Sequence, residues 1–254
     1  MQYKGIFFDL YGTLLIFGDM KAAWENWMTA YYNIIVERGF NISEENFIAQ
    51  LDGFFSRLRP AVINPELTVY EHRLLEQNKK IGFNSSIPML HKMANVTINA
   101  WDNYVQIDPE AIDVLSKLKN LFKLALITNF DHPPHIHDLL ARHKLKNLFE
   151  EIIISGEVGS DKPDPKIFQT ALDKTNLKPA EVVFIGDSPE DVNGSKNAGL
   201  KPVLIKRERD ENDHIYLDYY SDIKNHNFVR EAVDEDGVHI ISKLSELLTI
   251  FGVK

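Results

Sequence analysis

The sequence predicts an α/β architecture: a parallel sheet with helices on both faces and an all-helical insertion after its first strand. Three observations carry this. Short apolar runs recur along the chain, each followed by polar turn residues. Helical patterns with clear start signals lie between most of them, and residues 18–106 hold no clear strand pattern. Strands alternating with helices imply crossover units, which make the strands parallel and cover both faces of their sheet.

The first run, residues 5–10, carries Asp9 at its end, with a Gly12-Thr13 turn beyond. The insertion follows and is long enough for four or five helices. Met20, Ala23, Trp24, Trp27, Ala30, Tyr31 and Ile34 keep a helical period, as do Phe47, Leu51, Phe54, Phe55 and Leu58, and then Met89, Met93, Val96 and Ala100. These aromatics read as the core of a small bundle. Five more apolar runs, at 123–128, 152–155, 182–186, 202–205 and 238–241, complete the sheet. Asp108-Pro109, Asp164-Pro165 and Ser188-Pro189 each read as an N-cap followed by proline at the first helical position. The expected division is a core from 1–17 and 107–254, and a helical cap from 18–106 over the strand ends. Residues 207–237, dense in Asp, Glu, His and Tyr, read as a surface excursion that could serve as a lid.

Composition removes several classes of function. The 254 residues include no cysteine, which rules out disulfides, thiolate metal sites and thiol nucleophiles and fits a cytoplasmic location. No run approaches the roughly 18 apolar residues of a membrane span, and the N-terminal residues lack the pattern of a signal peptide. Lys+Arg 28 against Asp+Glu 37 gives a net charge of −9, which argues against broad nucleic-acid binding by counterion release.

In parallel sheets with helices on both faces, ligands bind beyond the carboxyl ends of the strands. Asp9, Thr128 and Asp187 fall at such ends. Four segments carry polar residues there: Asp9-Leu10-Tyr11-Gly12-Thr13; Leu126-Ile127-Thr128-Asn129; Ser160-Asp161-Lys162-Pro163-Asp164-Pro165; and Gly186-Asp187-Ser188-Pro189-Glu190-Asp191. In these four segments, in this order, the chain resembles the haloacid dehalogenase-like hydrolase superfamily, with the helical insertion where that family has its cap. The resemblance implies a Rossmann-like core. It also implies Mg²⁺-dependent hydrolysis of a small phosphorylated metabolite through an aspartyl-phosphate.

It assigns roles to residues as follows. Asp9 is the candidate nucleophile, and a covalent intermediate on it would divide one hard step into two. Thr128, Asn129 and Lys162 would meet the phosphoryl group, with Lys162 also pairing with Asp9 to keep it ionised. Mg²⁺ would take Asp9, the backbone carbonyl of Tyr11 and Asp187, a set of oxygens that suits this ion. Asp191 has two readings, support for the metal site and the third residue of a capping box opened by Ser188.

The first segment departs from the phosphatase pattern. Phosphatases of the family carry a second aspartate where this chain has Tyr11, and there it protonates the leaving oxygen and activates water. A phenol titrates near pH ~10 against ~3.9 for aspartate, so it is a poor base at neutral pH. A 2-haloacid dehalogenase is therefore an alternative, since those relatives begin with Asp-x-Tyr-Gly-Thr and work without metal. They also carry a tyrosine six residues after the lysine, where this chain has Phe168, and a Ser/Asn pair near Asp187 that is missing here. Their halide-side arginine has no secure counterpart, although Arg38 lies at a plausible spacing. A third alternative is a catalytically degenerate binding protein. His132, His135 and His137 are close enough in sequence to suggest a metal site, but read as a solvated helix start or a substrate-adjacent loop.

Overall fold

The computed structural model describes residues 3–51, 53–55, 57–207 and 237–253. The described residues form two compact units. One gathers 3–17, 106–207 and 237–253; the other covers 18–105. Most of the 207–237 stretch, including all of 208–236, lies outside the described residues.

The first unit is built on a six-stranded, wholly parallel sheet. Its strands are β1 (Gly5–Phe8), β4 (Lys123–Thr128), β5 (Glu151–Ile154), β6 (Val182–Gly186), β7 (Lys201–Ile205) and β8 (His239–Ile241), in the order β5-β4-β1-β6-β7-β8. All six apolar runs of the sequence became these strands, and the fold is α/β and Rossmann-like. Strand β1 lies between β4 and β6, with Phe8 level with Leu126 on one side and Ile185 on the other. The chain runs outward from β1 in both directions, and a crevice opens at such a switch point. Two further short strands, β2 (Leu15–Phe17) and β3 (Val105–Ile107), pair in a sheet of their own. At three residues each they are too short to show a period in the sequence.

Helices α5 (Ala111–Lys119), α6 (Pro133–Arg142), α7 (Ser155–Val158), α8 (Pro165–Thr175) and α9 (Pro189–Asn197) connect the strands, and a short helix, Glu246–Ile250, follows β8. Phe7, Ala125, Ile127, Ile153 and Phe184 bury one sheet face against Ile167, Phe168, Ala171 and Leu172 of α8. Two of the three expected caps form as read. The Asp164 side chain accepts from Lys166 N–H, and Ser188 opens a capping box with Asp191. The third is displaced. Helix α5 starts at Ala111 with Glu110 as its cap, because Asp108 turns its carboxylate onto the Glu110 N–H at 2.7 Å and closes a local turn first.

In the second unit the helices are α1 (Met20–Glu37), α2 (Glu44–Gln50), α3 (Val69–Ile81) and α4 (Ile87–Asp102). Helix α1 buries Met20, Ala23, Trp24, Trp27, Tyr31 and Ile34 of the expected stripe and leaves Ala30 half-buried. Two expectations are corrected. The period over residues 47–58 does not persist as one helix: α2 stops at Gln50, Gly53 takes a positive φ of 68°, and Leu58 is 93% exposed. A positive φ has no place inside a right-handed helix. Helix α4 forms, but its buried face is Leu90, Met93, Ala94, Thr97, Ile98 and Trp101, and Val96 points out to solvent. Thr97 misled the reading. Its hydroxyl is satisfied inside the unit, by the Met93 carbonyl at 2.8 Å and the Tyr70 hydroxyl at 2.7 Å, so a polar residue sits on the core face. No helix among the described residues is long and apolar enough to cross a membrane.

Candidate active site

Four loops of the first unit bring the sequence-derived residues together at the carboxyl ends of adjacent strands. Asp9 directly follows β1, and its backbone N–H donates to Ile185 O at 2.9 Å, which holds it in register with β6. Thr128 ends β4, buried. Asp187 follows β6 and is half-buried, while Asp191 is fully buried in the first turn of α9.

Lys162 ties the group together. Its Nζ donates to Asp9 Oδ1 at 2.5 Å and to Asp191 Oδ1 at 2.6 Å, and lies 5.7 Å from the centroid of the Phe184 ring. The lysine is placed by Asn129, whose amide clamps its backbone: Nδ2 donates to Lys162 O at 2.9 Å, and Oδ1 accepts from Lys162 N–H at 2.8 Å. Both ends of the Asn129 amide are thus engaged with protein. Asp191 divides its carboxylate between two tasks. Oδ1 takes Lys162; Oδ2 accepts from the Asp187 and Ser188 N–H groups, each at 3.1 Å, and from the Ser188 hydroxyl at 2.8 Å. Capping and ion pairing are carried by the same side chain.

The electrostatics follow from burial. Desolvation pushes the Asp9 carboxyl up to about 8, with Asp191 and Asp187 adding to the rise and Lys162 opposing it. Burial acts to lower the Lys162 ammonium, but the attraction of Asp191 and Asp9 outweighs it and holds the group above its ordinary range. Burial thus outweighs the pairing with Lys162 that was expected to keep Asp9 ionised, and three carboxyl groups face one ammonium. Asp9, Asp187 and Asp191 can each offer an oxygen within 4.8 Å of the others. An all-oxygen set with surplus negative charge suits a hard divalent cation such as Mg²⁺. The three histidines do not form a comparable group: the carboxylate trio is the only such cluster among the described residues. His137 pairs with Glu157 at 2.7 Å, while His132 and His135 are buried, which corrects the reading of a solvated helix start.

Close packing accounts for two glycines. Gly12 has φ +85°, and a Cβ there would lie 2.1 Å from Asp187 Oδ2; a Cβ on Gly186 would lie 2.4 Å from the Asp191 carboxyl carbon. Each lets a carboxylate approach the backbone. Tyr11 sits in a column of rings, stacked on Phe130 at 5.5 Å and on Phe17 at 6.2 Å, with Phe130 stacked on His135 at 5.5 Å. No local pattern signals this column, because its members come from separate elements. Phe168 is wholly buried against Phe184, at 5.2 Å between ring centroids. Arg38 caps the C-terminus of α1 and is exposed.

A family model for haloacid dehalogenase-like hydrolases matches residues 3–199, a span that contains all four loops. The chain belongs to the haloacid dehalogenase-like hydrolases. This hydrolase is 25% identical over 249 residues to a glyceraldehyde 3-phosphate phosphatase of Methanothermobacter thermautotrophicus, covering 96% of this chain and 99% of that one. It is 35% identical over 106 residues to the protein of the same name from Methanopyrus kandleri, where the match covers 41% of this chain and 45% of the relative. Among solved structures, a 2-haloacid dehalogenase from Pseudomonas syringae superposes with a TM-score of 0.63 at 20% identity, over 98% of both chains. That likeness speaks for the fold of this haloacid dehalogenase-like hydrolase and leaves its reaction to the site.

Proposed function

We propose that the chain is a Mg²⁺-dependent phosphatase of small phosphorylated metabolites, acting through an aspartyl-phosphate on Asp9. One observation carries the reading: Asp9, Asp187 and Asp191 each offer an oxygen within 4.8 Å of the others, beside a lysine already paired with two of the three. Asp9, the carbonyl of Tyr11 and Asp187 would hold the ion, and Asp191 supports them by fixing the Asp187 backbone N–H. When bound, the ion offsets the surplus negative charge and polarises the phosphoryl oxygens.

The chain's own groups do the remainder. Asp9, in its ionised form, attacks phosphorus as the P–O bond to the leaving group breaks, and the departing oxygen takes a proton from water; a water molecule then cleaves the acyl-phosphate, releasing inorganic phosphate and restoring the carboxylate. Lys162 steadies Asp9 and lies where it can offset charge on the transferred group, and the Thr128 hydroxyl can donate to a phosphoryl oxygen. Asn129 acts on substrate through Lys162, because its side-chain amide is committed to that backbone. The relatives named for glyceraldehyde 3-phosphate support a small phosphorylated substrate, and the helical insertion at 18–106 is assigned the role of the cap that selects among such molecules. A cytoplasmic location fits the absence of cysteine.

Tyr11 favours a second reading, a metal-independent 2-haloacid dehalogenase. One experiment separates the two: phosphate release from a metabolite panel and halide release from a 2-chloro acid, each with Mg²⁺ and with EDTA. Phosphate release abolished by EDTA supports the phosphatase. Halide release that persists in EDTA, with no phosphate release from any metabolite, overturns it.

A further inference from the structure

The loop that carries Asp9, Tyr11 and Gly12 is held from two sides. On one side Gly12 presses against Asp187, as its missing Cβ requires. On the other stands Arg207, two residues past β7. Its Nη2 donates to the Thr13 carbonyl at 2.6 Å and its Nε to the Gly12 carbonyl at 3.3 Å. The same Nη2 lies 2.5 Å from Asp108 Oδ2, and the two side chains are 12% and 3% exposed. Asp108 is itself fixed: its N–H donates to Leu14 O at 2.9 Å, and its other carboxylate oxygen accepts from Glu110 N–H.

A buried ion pair is weak evidence for stability, because desolvation offsets much of the attraction. The geometry suggests a different use for this one. A guanidinium is a rigid planar fork, which an ammonium cannot imitate. Here it engages two successive carbonyls and so fixes the peptide planes on the far side of Gly12. Glycine is the residue whose dihedral angles are otherwise least restricted. Asp187 limits Gly12 on one side, Arg207 holds the next two carbonyls on the other, and the Gly12 N–H donates to Leu15 O, so the Tyr11–Gly12 peptide is restrained from both ends.

We propose that Arg207, backed by Asp108, is a positioning residue that holds the Asp9–Thr13 loop in the arrangement that accepts a divalent cation. The inference rests on the metal-dependent reading of the site. Its test uses the full chain with Arg207→Gln and Arg207→Lys. Two quantities are read: Mg²⁺ affinity by calorimetry without substrate, and amide hydrogen exchange across residues 10–15. Loss of an outer partner typically weakens metal binding about 10–100-fold. Arg207→Gln is expected at the lower end, about tenfold weaker, with faster exchange at Gly12, whose N–H donates to Leu15 O at 2.8 Å. Arg207→Lys should recover little, because it restores charge without the fork.

A purely structural role would lower the melting temperature and leave the Mg²⁺ affinity of the folded protein unchanged, and that result overturns the proposal. So does unchanged exchange across 10–15, or full recovery by lysine. If Arg207→Gln fails to fold, Arg207→Lys decides, since it keeps the charge beside Asp108 and removes the fork from the two carbonyls: weaker Mg²⁺ binding with faster exchange at Gly12 supports the proposal, and parental binding overturns it. Wild-type protein that binds no Mg²⁺ would refute the metal reading instead, and the exchange measurement would then decide alone whether Arg207 holds the loop.

Discussion

Replacing Tyr11 by aspartate tests the least usual feature of the site. The side chain is a stacked ring, with Phe130 at 5.5 Å and an interplanar angle of 16° on one contact and Phe17 at 6.2 Å and 17° on the other. An aromatic pair contributes about 0.5–1.5 kcal/mol beyond its buried area, so losing two costs about 1–3 kcal/mol. For a chain of this size that lowers the melting temperature by about 2–12 °C. Against this loss, a carboxylate at position 11 would supply the acid and base the phenol serves poorly. Only about one phenol in a thousand is ionised at pH 7, and general acid–base assistance contributes about 10²–10⁴-fold.

Tyr11→Asn separates the two effects, because it removes the same ring and adds no titrating group. The assay is Mg²⁺-dependent phosphate release per folded molecule, below the melting temperature of every variant. Both variants should be less stable than the parent by similar amounts. Tyr11→Asp should then turn over faster than Tyr11→Asn, by up to about 10²–10⁴-fold, and faster than the parent. If Tyr11→Asp is no faster than Tyr11→Asn, the chain does not lack an acid–base group at that position, and the reasoning from the missing carboxylate is refuted.

Three further outcomes are expected. Asp187→Asn should raise the Mg²⁺ concentration for half-maximal activity at least about tenfold, since even outer partners cost that much; full activity at low Mg²⁺ would remove Asp187 from the metal site. Gly12→Ala should both destabilise the fold and weaken Mg²⁺ binding, because the new Cβ meets Asp187 Oδ2 at 2.1 Å and φ is +85°, a conformation that costs an L-residue about 1–2 kcal/mol; unaltered melting and metal affinity would refute the close packing. Glu246 accepts from Ser242 N–H, the Ser242 hydroxyl and Lys243 N–H on one oxygen, which hold its carboxyl below the ordinary range. A depressed folded value gives stability that is present above the unfolded pKa and lost as pH falls through the folded one. Glu246→Gln should thus melt below the parent at pH 7, and the gap should close in acid; a gap that is constant with pH would contradict this.

What could be read from the sequence depended on the range of the interaction. The six strands were legible because each is an apolar run with turn residues at its end, and the Asp164 and Ser188 caps because their partners lie two or three residues away. The convergence of Asp9, Thr128 and Asp187 could be expected from strand ends, and the Lys162 loop joined them through the family resemblance. Contacts between distant residues were not legible. Nothing local marks Asn129 as the clamp on Lys162, 33 residues on, or Arg207 as a partner of Gly12, 195 residues away. The face of α4 failed for a related reason. Thr97 looks polar in the sequence and becomes a core residue only where Tyr70 and Met93 satisfy its hydroxyl.

The ring column changes how Tyr11 should be understood. If the tyrosine were only a lost aspartate, its neighbours would have no reason to be flat and aromatic. Phe17, Phe130 and His135 instead form a continuous stack with it. A carboxylate at position 11 would add a fourth acid to Asp9, Asp187 and Asp191 around one ammonium, so the gain expected of Tyr11→Asp should appear only with the divalent cation bound. The phenol adds no charge to that group. Tyr11 therefore fits a site in which the metal and Lys162 carry the burden of charge and a rigid aromatic wall stands beside the nucleophile. Under that account Tyr11→Phe should keep both the stack and most of the turnover. A collapse of activity in Tyr11→Phe with unchanged stability would instead assign the hydroxyl a direct part in proton transfer.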